Sequence, residues 1–140
     1  MTRNDKQTLE ALMNQWIKAW SPKDKAWSGA GLEQIFAEGE NAIHVVDDFE
    51  GGAVVINSFE DYLATWVPVM AAFGYWEIKL VEPATIRVDG DLAVSTFQFV
   101  ANGRLQDGSA ISPAPSQHGT HIWERTPGGW RIVHEHLTNA

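Results

Sequence analysis

Near the end of the chain, His121 is followed across a Thr126-Pro127-Gly128-Gly129 turn by His134-Glu135-His136. Alternate residues of a strand share a face, so His134 and His136 lie together and Glu135 faces away. Which set meets His121 depends on register across the turn. An even loop sets His121 beside His134, and three imidazoles then form a group of the kind that binds zinc or iron. A three-residue loop with a glycine bulge sets His121 beside Glu135 and turns His134 and His136 to the other face. A carboxylate fixes the imidazole tautomer, giving a usable acid/base near neutrality. The same residues also read as structural: a cross-strand polar pair worth about 0.2–1 kcal/mol, with the other histidines bonded within the sheet or at a dimer surface.

Other side chains carry chemistry of a softer kind. Trp16, Trp20 and Trp66 fall on helix faces that meet a sheet. They are core, or they are an aromatic wall for an apolar or aromatic ligand, whose carbonyl an indole N–H can orient. Gln98, between Phe97 and Phe99, is an amide in a central strand, and burial obliges it to find partners in the protein or in a ligand. His44, on an early strand, faces the same hollow or solvent. Asp47 and Asp48 precede Gly51-Gly52 in a turn and read as solvated acids. Trp123 and Trp130 read as structural or interfacial. No phosphate loop, nucleophile elbow or zincin motif occurs.

The elements that hold these residues follow from periodicity. Leu9, Leu12, Met13, Trp16, Ile17 and Trp20 form one helical face, with Asn4 and Gln7 as a capping pair and Ser21-Pro22 as the stop. Leu32, Ile35 and Phe36 suggest a short helix. Ala42 to Val46 and Ala53 to Ile56 read as strands. Ser58 and Asp61 open a helix through Phe59, Tyr62, Leu63, Trp66 and Met70, bent by Pro68 and closed by Gly74. Strands follow at Tyr75 to Glu82, Thr85 to Val88, Leu92 to Asn102, His118 to Arg125 and Trp130 to Thr138. Ser112 to Ser116 is a loop or a flap. The order is α+β, with helices on one face of an antiparallel sheet, and a curved sheet closed on one side leaves a cone-shaped cavity for a small ligand.

Composition narrows the classes. The chain has 140 residues, 44% of them hydrophobic, and the expectation is one domain over residues 1–140. Eighteen acidic against ten basic side chains, a net charge of -8, argue against nucleic acid and anionic membrane surfaces. No apolar run is long enough to span a bilayer, and the first residues are polar, without a hydrophobic signal region. The absence of cysteine rules out thiolate metal sites, disulfides and cysteine nucleophiles, and a cytoplasmic location is expected.

The run Gly119-Thr120-His121-Ile122-Trp123-Glu124-Arg125, then Gly128-Gly129-Trp130-Arg131-Ile132-Val133-His134-Glu135-His136-Leu137-Thr138, resembles the end of SnoaL-like proteins of the nuclear transport factor 2-like superfamily. It is also similar to the association domain of calcium/calmodulin-dependent kinase II. The resemblance implies a cone fold, a pocket between helices and concave sheet, a homodimer through the sheet, and the register that sets His121 beside Glu135. It does not imply one chemistry. The hub domain's anion-holding positions correspond here to His121, Gln98 and Leu137, a set with one possible cation. The isomerase pattern of a helix tyrosine and a sheet aspartate meets Trp16, Trp20 and Phe97-Gln98-Phe99 instead; Asp47 or Asp48 lies near where its general base would sit, but two acids before Gly51-Gly52 read more simply as solvated.

Two functions stay open. One is a binder of a small apolar or aromatic molecule, with His121 and Glu135 as catalytic acid/base and orienting partner. Trp16, Trp20, His44, Trp66 and Gln98 would contact the ligand. Its reaction would be an isomerisation, dehydration or cyclisation needing no cofactor and no metal. The other is a non-catalytic oligomerisation or accessory module with a vestigial pocket.

Overall fold

The computed structural model describes residues 2–140, with side chains from Asn4 onward. Helix α1 spans Thr2–Ala19. Its buried stripe is Leu9, Met13, Trp16 and Trp20, as the 3.6-residue period requires. The helix begins before Asn4, so Asn4 lies inside it and does not cap it. The Ser21 hydroxyl accepts from the Ile78 backbone N–H at 3.0 Å and ties the end of α1 to the sheet.

The expected short helix is a 3-10 turn, Leu32–Gln34, that buries Leu32 and leads into buried Ile35 and Phe36. Helix α2 spans Phe59–Met70; the Ser58 hydroxyl accepts from Asp61 N–H at 3.1 Å, which satisfies one free donor of the first turn. Pro68 sits in the last turn and the helix runs past it to Met70. Gly74 does not close α2. It belongs to β3, where the pairing with β5 shifts register.

Seven strands form one sheet: β1 (His44–Asp47), β2 (Val54–Ile56), β3 (Phe73–Leu80), β4 (Thr85–Asp89), β5 (Leu92–Leu105), β6 (Ser116–Thr126) and β7 (Gly129–Asn139). The order is β2-β1-β7-β6-β5-β3, and β4 pairs with the first part of β5. The 14 residues of β5 are long enough to carry β4 on one half and β3 on the other. The sheet is mixed, not wholly antiparallel, because β1 and β7 run parallel, with His44 opposite His134 and Asp47 opposite Leu137. Alternation of polar and apolar residues fixes which face is buried, but strand direction is set by the connections. Helices α1 and α2 cover the concave face, giving the α+β cone.

The register that decides the site is set inside the last hairpin. Its turn has two residues, Pro127 and Gly128, with Thr126 opposite Gly129. Carried on unchanged, that pairing would set His121 opposite His134. Between Trp123–Ile132 and Ile122–His134 the pairing skips Val133. This bulge reverses the parity of β7, so Trp130 and Ile132 point inward before it, and Glu135 and Leu137 after it. His121 therefore stands opposite Glu135. The extra residue is at Val133 and not in the turn. Among the described residues, no helix is long and apolar enough to cross a membrane.

Candidate functional site

Glu135 is fully buried yet well supplied with donors. Trp16 Nε1 from α1 donates to Oε2 at 3.0 Å, and the Tyr62 hydroxyl from α2 donates to Oε1 at 2.9 Å. His121 Nε2 lies 2.8 Å from Oε2, also with no exposed surface. A carboxylate needs such donors to stay in an interior. Trp16 and Tyr62 donate to it, and His121 Nε2 donates as well in the tautomer that carries its ring hydrogen there. His121 Nδ1 is 3.4 Å from Met13 Sδ. Burial, and then the negative charge of Glu135, hold the Tyr62 phenol well above its usual range, so it remains a donor.

A second buried carboxylate lies close by. Asp47 is 4% exposed. Its Oδ1 accepts from Gln117 Nε2 at 3.0 Å and from the Phe49 backbone N–H at 2.9 Å. Gln117 Nε2 also meets Asn139 Oδ1 at 3.2 Å, which fixes the orientation of the amide. Among the described residues Asp47 Oδ2 has no hydrogen-bond partner. Burial pushes the Asp47 carboxyl up to about 7, the two donors act the other way, and the charges of Glu135 and Asp48 add to the rise. Asp48, its neighbour, is half-buried and held below the usual carboxylate range by the Asn139 backbone N–H and the Thr138 hydroxyl.

Asp47 and Gln117 form the polar end of a cavity of about 30 Å³. The indoles of Trp16, Trp20, Trp66 and Trp76 surround it, with Phe49, Phe99 and Leu137. That volume admits water, whereas a cavity that takes benzene measures about 150 Å³. Among the lining indoles, the N–H groups of Trp20, Trp66 and Trp76 are buried and have no acceptor. Phe49 packs edge-on against Trp76, with ring centroids 5.8 Å apart. It sits on the short turn between β1 and β2, at one wall of the hollow.

The structure brings some of the expected site residues together and separates others. His121, Glu135 and Trp16 meet. Trp16, Trp20 and Trp66 line the cavity, while His121 and Glu135 lie behind its wall. Gln98 is on the other face of β5, where its amide donates to the Ser116 hydroxyl at 3.2 Å. His44 is exposed on the outer face, and its Nδ1 is 3.2 Å from that of His134. Burial, and then the neighbouring His44 and His136, lower the His134 imidazole below its usual value. Among the described residues, no cluster of three or more His, Asp or Glu side chains can hold a metal.

Asp47 was expected to be solvated and is buried. β1 runs one residue further than its apolar stretch, and Asp47 shares parity with buried Val45. That alternation was a usable signal. Tyr62 was visible only as a helix-face residue one turn before Trp66. Gln117 carried no signal, because its role depends on β6 lying within reach of β1.

The sequence profile described as the SnoaL-like domain matches residues 9–139. No curated protein matches the sequence. A nuclear transport factor 2-like superfamily protein from Salmonella enterica subsp. enterica serovar Typhimurium str. LT2 is similar at 22% identity. The match covers 99% of this chain and 93% of that one, with a TM-score of 0.82. A nuclear transport factor 2-like protein of unknown function from Pseudomonas putida KT2440 is 21% identical over 99% of this chain and 87% of that one, with a TM-score of 0.73. A protein from Shewanella frigidimarina, provisionally assigned as a ketosteroid isomerase, is 22% identical over 91% of each chain, with a TM-score of 0.67. These structures share the fold, and the profile match spans nearly the whole sequence: the chain belongs to the SnoaL-like domain family, on a nuclear transport factor 2-like fold.

Proposed function

We propose that this protein binds a small apolar or aromatic molecule in the indole-lined cavity, widened from its present water-sized volume by an outward movement of Phe49, and moves a proton on it, without a cofactor. The reaction class is an isomerisation, dehydration or cyclisation. Asp47 is the acid/base. The observation that carries this reading is a carboxyl of pKa about 7, with one oxygen unpartnered, facing an apolar hollow. A group that titrates near the working pH both takes and returns a proton efficiently. Glu135 is held by hydrogen bonds with Trp16, Tyr62 and His121. His121 and Glu135 act here as positioning residues, keeping Trp16 in place at the cavity wall.

The test is deuterium wash-in, followed by NMR in D2O, for a panel of small cyclic ketones with exchangeable protons beside the carbonyl. The native protein should accelerate exchange into at least one of them, and Asp47→Asn should abolish the acceleration while keeping the fold. Equal exchange with the two proteins, or none with either, would sink the assignment.

The assembly-module reading draws on the outer sheet face, where Val94 and Val100 are each 38% exposed on β5. A homodimer through that face is compatible with the catalytic reading. Sedimentation equilibrium giving a monomer at micromolar concentration would remove it.

A further inference from the structure

The outer face of the sheet carries a pair of imidazoles that the cavity does not use. His44 on β1 stands directly opposite His134 on β7, where the two strands run parallel. His44 is exposed and His134 half-buried. Their ring planes are 11° apart with centroids 5.2 Å apart, and Nδ1 lies 3.2 Å from Nδ1. Two N–H groups cannot face each other at that distance, so at least one Nδ1 presents a lone pair.

That spacing is the spacing of two ligands on one ion. Imidazole nitrogens bind zinc at about 2.0–2.1 Å, which sets two of them about 2.8–3.4 Å apart for octahedral to tetrahedral angles. The ladder between β1 and β7 therefore brings the two donors to chelating distance before any metal arrives. A chain with a net charge of -8 attracts cations. Two neutral nitrogens choose among them, because imidazole suits zinc, copper and nickel, whereas magnesium and calcium take oxygen. The ring of His136 is 6.5 Å from that of His134, too far to share an ion in this arrangement, so the site has two protein ligands.

The position gives such an ion a structural effect. β1 has four residues and pairs with β7 across 90 positions of sequence. On the opposite face the same two strands carry Asp47 and Glu135. An ion shared by His44 and His134 ties the strand that holds the first carboxyl to the strand that holds the second.

We infer that His44 and His134 form a two-imidazole site for a divalent, nitrogen-preferring transition metal, zinc or copper, which clips β1 to β7 from outside. The metal replaces the hydrogen between the rings. Both Nδ1 lone pairs bond the ion, the displaced hydrogen moves through solvent to Nε2 of its own ring, and water fills the remaining positions. No oxidation state changes.

The experiment titrates Zn(II), Cu(II) and Mg(II), each alone, into the tag-free chain at neutral pH by calorimetry. His44→Gln and His134→Gln each remove one ligand. His118→Gln is the control, since His118 is an exposed imidazole outside the pair, opposite Gln98 and Thr138. The native chain and the control should bind zinc, bind copper more tightly, and ignore magnesium. Each pair variant should weaken both metals at least as much as losing an outer-shell partner does, roughly 10–100-fold. The paramagnetic resonance of bound copper should show coupling to two imidazole nitrogens. Zinc should raise the Tm of the native chain and not that of the pair variants. Unchanged affinity in either pair variant, an equal loss in His118→Gln, equal binding of magnesium, copper coupled to a single nitrogen, or no binding of zinc or copper below about 1 mM overturns the site. Zinc binding with no rise in Tm means that the unfolded chain holds the ion equally well, and overturns the clip.

Discussion

Asp47 and Glu135 are buried carboxylates on adjacent parallel strands, both on the concave face, two register positions apart. Three side chains donate to Glu135, whereas Asp47 has one fixed oxygen and one free. The charge on the first helps hold a proton on the second.

This arrangement makes stability depend on pH in a definite direction. The Asp47 carboxyl rises from 3.8 to about 7 on folding, so the folded chain binds its proton more tightly than the unfolded chain. The contribution is full below pH 4 and is lost as pH rises to about 7, at roughly 1.4 kcal/mol per pH unit. Asp47→Asn keeps an acceptor for Gln117 and Phe49 and cannot ionise. Urea unfolding should find the variant equal to the native protein near pH 4 and more stable at pH 8 by up to about 4 kcal/mol. A difference independent of pH would contradict the burial argument.

Glu135 can be probed without losing the fold. In Glu135→Gln the amide oxygen can still accept from Trp16 and His121, and the Tyr62 hydroxyl can rotate to accept from the new N–H. Glu135→Ala instead orphans three donors and should cost roughly 3–5 kcal/mol. With the charge removed, the Asp47 midpoint should fall below 7 in Glu135→Gln, read from its carboxyl carbon shift by NMR. An unmoved midpoint would mean that the two carboxylates are not coupled.

Gly119 makes room for the wall of the site. A Cβ there would lie 2.4 Å from the Phe97 ring and 2.7 Å from Leu137 Cδ2. Gly119→Ala should destabilise by about 1–3 kcal/mol, because ring and methyl must both retreat in a filled core. Thermal unfolding tests this, and an unchanged Tm would show that Phe97 has space the structure does not display.

Phe49 controls the volume. Its ring is half-buried, and the turn that follows passes through Gly51 at φ 103°, a conformation that favours glycine. Phe49→Ala should cost roughly 1–3 kcal/mol and open the hollow, so that a small cyclic ketone binds faster than to the native chain. Stopped-flow tryptophan fluorescence would measure the rate, and an unaltered association rate would place the entrance elsewhere.

The helical faces of α1 and α2, the strands of the meander and the inward parity of Trp16, Trp20 and Trp66 were legible in the sequence. Each depends on a local period of apolar residues, and a local period is written in consecutive positions. The resemblance of the C-terminal run reached the family for the same reason. Three features were not legible. The parallel pairing of β1 with β7 arises where residues 90 positions apart in sequence become neighbours. The resemblance implied that His121 faces Glu135, but the bulge that produces this register was not legible, because nothing about a valine between Ile132 and His134 marks it as the extra residue. The raised proton affinity of Asp47, unlike its inward parity, follows from what covers it: the Gln117 amide and the indoles that close the hollow come from distant segments. Sequence determined the elements and their apolar faces because those rest on spacing along the chain. Tertiary structure decided which acid keeps a proton, because desolvation and neighbouring charge are properties of the assembled space around a group.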